Sequence, residues 1–122
     1  MKTKQGKVTV AFRAILNVAQ QPLPSFAAFK LFRLKKALQE IIDFQAEQEQ
    51  KITEELGGSI DAMGRFHFEN DEKSKQFLEK HKELDDMECE IGTERISMFM
   101  KEIPEISISD MEALDEFIEW KE

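Results

Sequence analysis

Val8, Phe12, Ile15 and Ala19 are spaced four, three and four residues apart, with Ala11, Leu16 and Val18 beside them, and so mark one face of a helix. The spacing predicts a first helix over about residues 7–20. "QQPLPS" ends it, because proline lacks the N–H that a continuing helix needs and disfavours helical geometry in the residue before it. Pro24 or Ser25 then suits the opening turn of a second helix. From there Ala28, Leu31, Leu34, Leu38, Ile41, Ile42, Ile52 and Leu56 recur without Gly or Pro until Gly57-Gly58. That run predicts a helix of about 32 residues, roughly 48 Å long. Between Ile42 and Ile52 the stripe is broken by "DFQAEQEQK", in which only Phe44 and Ala46 are apolar. There the helix is expected to project, bend or meet another chain, and Phe44 and Glu47 become candidate partner-binding residues.

After the two glycines the period changes. "RFHFE" alternates, with Phe66 and Phe68 on one side and Arg65, His67 and Glu69 on the other, as a half-buried strand does. "NDEKSKQFLEKHKEL" returns to helical spacing through Phe77, His81 and Leu84, opened by Asn70 or Asp71 with acids in the first turn. "MECEI" alternates again, and "GT" links it to "RISMFM", so the two read as a hairpin. With "RFHFE" they predict one small antiparallel sheet in which Phe66, Phe68, Met87, Cys89, Ile91, Ile96 and Met98 face the helices. Glu88 and Glu90 point to solvent and join the candidate partner-binding residues. "SDME" reads as a capping box, Ser109 capping and Glu112 reaching back, ahead of a helix over about residues 110–120 that carries Met111, Leu114, Phe117 and Ile118. The order of elements predicts an α+β fold: an N-terminal helical hairpin with a long second helix, a small antiparallel sheet and a C-terminal helix. At 122 residues it is expected to be a single domain.

Composition adds two points. Ten Phe and no Tyr supply large rings that need no hydroxyl partner inside a core. The net charge of −8 conceals a division: residues 1–39 hold eight bases and no acid, while residues 40–122 hold nine bases and all 25 acids. The first part is therefore +8 and the rest −16. Such asymmetry suits either a basic surface for an acidic partner or a basic segment folded against its own acidic remainder. Within "FKLFRLKK", Lys30, Arg33, Lys35 and Lys36 form the candidate basic surface. Interleaved with Phe29 and Phe32, they could contact phosphates beside stacked bases. The favoured expectation is a core-facing aromatic ridge flanked by exposed bases.

Candidate chemistry is sparse. His67, His81 and Cys89 lie 14 and 8 positions apart in three different elements, unlike the close pairs of a zinc site, so no metal is expected. The acids of residues 83–90 fall mostly opposite the apolar positions, which is the ordinary place of a solvated surface. No GxSxG, glycine-rich phosphate loop or HExxH occurs, and neither an enzyme nor a cofactor is expected. One cysteine cannot form an internal disulfide, and no apolar run approaches the roughly 20 residues that span a bilayer. No signal-peptide pattern is present either, and the expected setting is a reducing cytoplasm without membrane attachment.

The basic start, the "LP" before "AFKLFRLKKAL", the "GRFHFENDEKSKQF" middle, "ELDDMECEI" and the closing "ISISDMEALDEFIE" occur in an order that resembles a family of small phage and prophage proteins of unknown function from Gram-positive siphoviruses and gut bacteria. The likeness covers nearly the whole chain, although "LGG" stands after the long helix where that family usually has "YG". It implies a viral gene product in the cytoplasm of an infected bacterial host and brings no catalytic residues with it. The leading expectation is a non-enzymatic accessory protein that binds a protein: its own copy, or a host or virion component. The first alternative is an acidic inhibitor of a host nucleic-acid enzyme, such as an anti-CRISPR or other anti-defence protein. The second, ranked lower, is nucleic-acid binding by the basic N-terminal helices.

Overall fold

The computed structural model describes residues 1–122. Val8, Ala11, Ala14, Ile15 and Val18 form the buried face of the first helix, α1 (Gln5–Val18). It begins and ends two residues earlier than the spacing predicts, and Leu16 and Ala19, expected on the inner face, are exposed. The small Ala11 and Ala14 let neighbours approach closely on that side. α1 is accordingly central, packed on both α2 (Ser25–Glu55) and a short last helix, α4 (Ile108–Leu114).

α2 is one continuous helix of 31 residues. Its first half buries Ala27, Leu31, Leu34 and Leu38 in the main core; its second half buries Gln45 and Thr53 instead. The broken apolar stripe therefore does not mark a projecting segment. Its inner side meets α3 (Asp71–Asp86) through polar contacts within the same chain. At the end of α2, Gly57 takes a φ of 70°, and the Gly58 N–H donates to Thr53 O at 2.9 Å while that of Gly57 donates to Glu54 O at 3.0 Å. This is the paired-bond closure that favours glycine beyond a helix end.

The strands form three separate pairs, not the single antiparallel sheet that alternation suggests. β2 (Ser59–Ile60) and β3 (Phe66–His67) make an antiparallel hairpin around Asp61–Arg65. β1 (Lys2–Lys4) pairs antiparallel with β4 (Glu88–Glu90), matching Lys2 with Glu90 and Lys4 with Glu88. β5 (Ile96–Phe99) pairs parallel with β6 (Ile118–Lys121), with Ile96 opposite Ile118 and Met98 opposite Trp120. "MECEI" and "RISMFM" thus never pair with each other, because each takes a partner from one end of the chain. Inward orientation nonetheless holds for Ile91 and Met98, both fully in the core, and in part for Phe66, Phe68, Cys89 and Ile96. Met87 does not follow: it is exposed at the C-terminal boundary of α3, where its carbonyl accepts from the Gln5 N–H at 2.9 Å.

The expected C-terminal helix is also shorter. Ser107, two residues before the serine of the capping-box reading, accepts from the Asp110 N–H at 3.0 Å. The helix stops at Leu114, and Ile118 and Trp120 turn inward as alternate residues of β6. A second, smaller cluster lies away from the main core, where Phe66 and Phe68 stack on Phe77 with ring centroids 4.6 and 5.0 Å apart.

Candidate functional site

Core packing leaves the outward side of α2 unexplained. Phe26, Phe29 and Phe32 are 76%, 58% and 59% exposed, so the aromatic ridge expected to face the core faces solvent. The inner side of this stretch is already filled by Ala27, Leu31, Leu34 and Leu38, a quarter-turn to a half-turn round the helix. Phe29, Phe32, Arg33 and Lys36 line one shallow surface depression together with Ala37, Glu40 and Gly92.

The four candidate bases are not equivalent. Lys30 is half-buried, 3.5 Å from a carboxylate oxygen of Glu102, and its ammonium lies 5.7 Å from the centre of the Phe26 ring. The same Glu102 oxygen accepts the Phe99 N–H at 3.0 Å, which fixes the 3-10 turn Met100–Glu102 beside α2. Lys35 lies over Phe12 of α1 at 5.9 Å, and Arg33 over Phe29 at 5.9 Å. Lys36 is exposed, and neither it nor Arg33 has an acidic partner within the chain. The basic segment is thus partly matched by its own acids, through Lys30–Glu102 and Lys7–Glu116 at 3.6 Å, and partly free.

Phe44 and Glu47 continue the exposed side of α2, with Glu47 3.7 Å from Lys51 one turn on. Glu88 and Glu90 stand exposed on β4, and no hydrogen bond or ion pair joins them to Phe44 or Glu47. The exposure of the three phenylalanines is what sequence reasoning missed. Phe26, Phe29 and Phe32 recur every third residue and drift off the Ala27–Leu31–Leu34–Leu38 face, which was the available signal.

The inner side of α2 carries a polar chain. His81 Nε2 is 2.9 Å from Glu49 Oε2 and His81 Nδ1 is 3.3 Å from Asp85 Oδ2, while Gln45 Nε2 donates to Asp85 Oδ1 at 2.9 Å. These bonds tie α2 to α3. No hydroxyl or thiol is hydrogen-bonded to His81, so the arrangement lacks the nucleophile partner that a histidine base would activate. His67 is engaged elsewhere, 2.7 Å from Asp61 Oδ2 in the β2–β3 hairpin. That contact, with the Arg65 N–H on the other oxygen, holds the Asp61 carboxyl below its usual range. Burial pushes the Cys89 thiol up, with Glu116 and Glu90 adding to it. No group of His, Cys, Asp and Glu side chains is arranged to hold a metal ion, and no helix is long and apolar enough to cross a membrane.

On α3 the exposed Glu72, Glu79, Glu83 and Asp86 recur at helical spacing along one stripe with Lys75, Lys80 and Lys82 flanking it, and the open groove between α1, α3 and α4 combines Lys4, Lys7 and Arg95 with acids. No family model, curated protein or solved structure matches the chain.

Proposed function

We propose that this chain is a phage-encoded, non-enzymatic accessory protein that acts in the infected bacterial cytoplasm by binding a protein through the outer side of α2. The observation that carries this reading is the exposure of Phe26, Phe29 and Phe32 on one rigid helix. Exposed rings on a rigid element offer large apolar contact area at low entropic cost, and arginine beside aromatics is typical of interface hot spots. Crosslinking from host-cell lysate, compared between the wild type and a Phe29→Ser/Phe32→Ser variant, tests it. Lysine crosslinks to a protein partner, including the chain's own copy, are expected at Lys30 or Lys36 and lost in the variant. Identical crosslinking by both proteins sinks the reading.

Nucleic-acid binding is the second reading, favoured by the same rings standing beside Arg33 and Lys36. It ranks lower because Glu40, Asp43 and Glu47 continue that exposed side and repel phosphate. Binding that falls steeply with salt would raise it. Inhibition of a nucleic-acid enzyme by acidic mimicry draws less support, since Lys75, Lys80 and Lys82 flank the short carboxylate stripe of α3 and offset its charge.

A further inference from the structure

The charges along the outer side of α2 change sign midway. Arg33 and Lys36 lie in its first half; Glu40, Asp43 and Glu47 lie in its second, and all five are exposed. At 3.6 residues per turn these positions follow one another at spacings of three and four, which keeps them on one stripe with Phe29. Helix stability does not select this order. A helix gains from acids in its first turn and bases in its last, and α2 has neither; its last turn instead carries Glu54 and Glu55.

We infer that the partner of this face is a second copy of the chain, with the two α2 helices packed antiparallel about a two-fold axis near residue 38. This rests on the binding reading above and names its occupant. In that register Arg33 and Lys36 of one copy lie against Asp43 and Glu40 of the other. The two-fold repeats each contact, giving four ion pairs from one self-complementary stripe. Parallel packing would place Arg33 and Lys36 against their own equivalents. The complementarity therefore specifies direction as well as partner.

The size of the contact sets its strength. From residue 26 to residue 50 the stripe runs about 36 Å, and across a helix about 10 Å wide this is smaller than a stable interface and belongs with weak, transient contacts. The dimer is therefore concentration-dependent, and salt weakens it because its ion pairs are solvent-accessible at the rim.

Sedimentation velocity of the full chain over a wide concentration range, at low and high salt, tests the inference with three variants. Arg33→Glu/Lys36→Glu makes the stripe wholly acidic, and Glu40→Lys/Asp43→Lys makes its centre wholly basic. Each alone is expected to shift the monomer–dimer midpoint at least tenfold towards monomer. An equimolar mixture of the two is expected to dimerise again, as is the chain carrying all four changes, and circular dichroism verifies that every variant is folded. A wild type that stays monomeric, a dimer that ignores the reversals, or a mixture that does not reassociate each overturn the antiparallel pairing. If the chain is monomeric and still crosslinks to a different protein through Lys30 or Lys36, the binding reading stands and only the self-partner fails.

Discussion

His81 of α3 and Glu49 of α2 meet at 2.9 Å, and this contact turns an apparent gap in the apolar stripe of α2 into an interface. Asp85 reaches the other ring nitrogen and is itself held by Gln45, so four polar side chains replace the leucines that pack the first half of the helix. His81→Ala leaves two half-buried carboxylates without their shared partner. It is expected to cost about 1–3 kcal/mol in chemical denaturation, the range for a buried group losing its hydrogen bond. A loss below 0.5 kcal/mol, within the range of ordinary surface changes, would mean that the chain of contacts does not hold α3 in place.

Ile91 is 2% exposed, at the end of the stretch that pairs with β1, while Glu88 on the preceding strand is exposed. Ile91→Ala should destabilise by about 2–5 kcal/mol through lost burial and a residual cavity. Glu88→Gln should change stability by less than about 0.5 kcal/mol. Equilibrium urea unfolding of both variants checks the contrast.

These residues also show what could be read along the chain. Leu31, Leu34 and Leu38 declare their helix face because helical burial is a local, repeating signal, and Asn70 declares the start of α3 by a cap that lies only three residues from its N–H partner, Lys73. Ile91 and Met98 announce inward positions by alternation, but alternation says nothing about which strand lies alongside. Their strands pair with residues 2–4 and 118–121, and the second pairing is parallel, which no short-range turn can specify. Ile118 and Trp120 were masked for the same reason: Phe117 and Ile118 extend a helical stripe from Leu114 until a distant strand claims them. Lys30 and Arg33 of the candidate face were legible as bases. The outward aim of Phe26, Phe29 and Phe32 showed only in a three-residue spacing that drifts off the leucine face, while hydrophobicity alone assigns a large ring to the core.

Asp61 accepts from two backbone N–H groups and from His67, and its carboxyl is held below the ordinary aspartate value of about 3.9. The charged form is the one favoured by folding. Its contribution to the β2–β3 hairpin is therefore complete above the unfolded value and is lost as pH falls through the lower folded value. In an NMR titration of the carboxyl carbon, Asp61 should titrate below 3.9 in the wild type and move up towards it in His67→Ala. An ordinary wild-type midpoint would refute this account of the hairpin.

Zinc or a chelator should leave the melting temperature unchanged. His67 is bound to Asp61, His81 lies between Glu49 and Asp85, and Cys89 donates to Thr3 O at 3.5 Å, each on a different element. A metal held by the native state alone would raise the melting temperature by mass action. A rise that a chelator reverses would show that ligands converge after all.

Phe29 and Phe32 differ from Leu31 and Leu34 only in which side of one helix they occupy, and that difference separates binding from folding. Leu31 and Leu34 are almost wholly buried, so Leu→Ala at either should cost about 2–5 kcal/mol. The two rings remain more than half exposed in the folded chain, so Phe29→Ser or Phe32→Ser should alter folding stability by no more than about 0.5 kcal/mol. Unfolding should be measured at a protein concentration low enough to exclude association, since a bound partner would add its own stabilisation. If the serine variants unfold as readily as the leucine variants, the rings support the fold and the outer side of α2 loses its claim as a binding face. If stability is unchanged while association is lost, the phenylalanines serve contact with a partner.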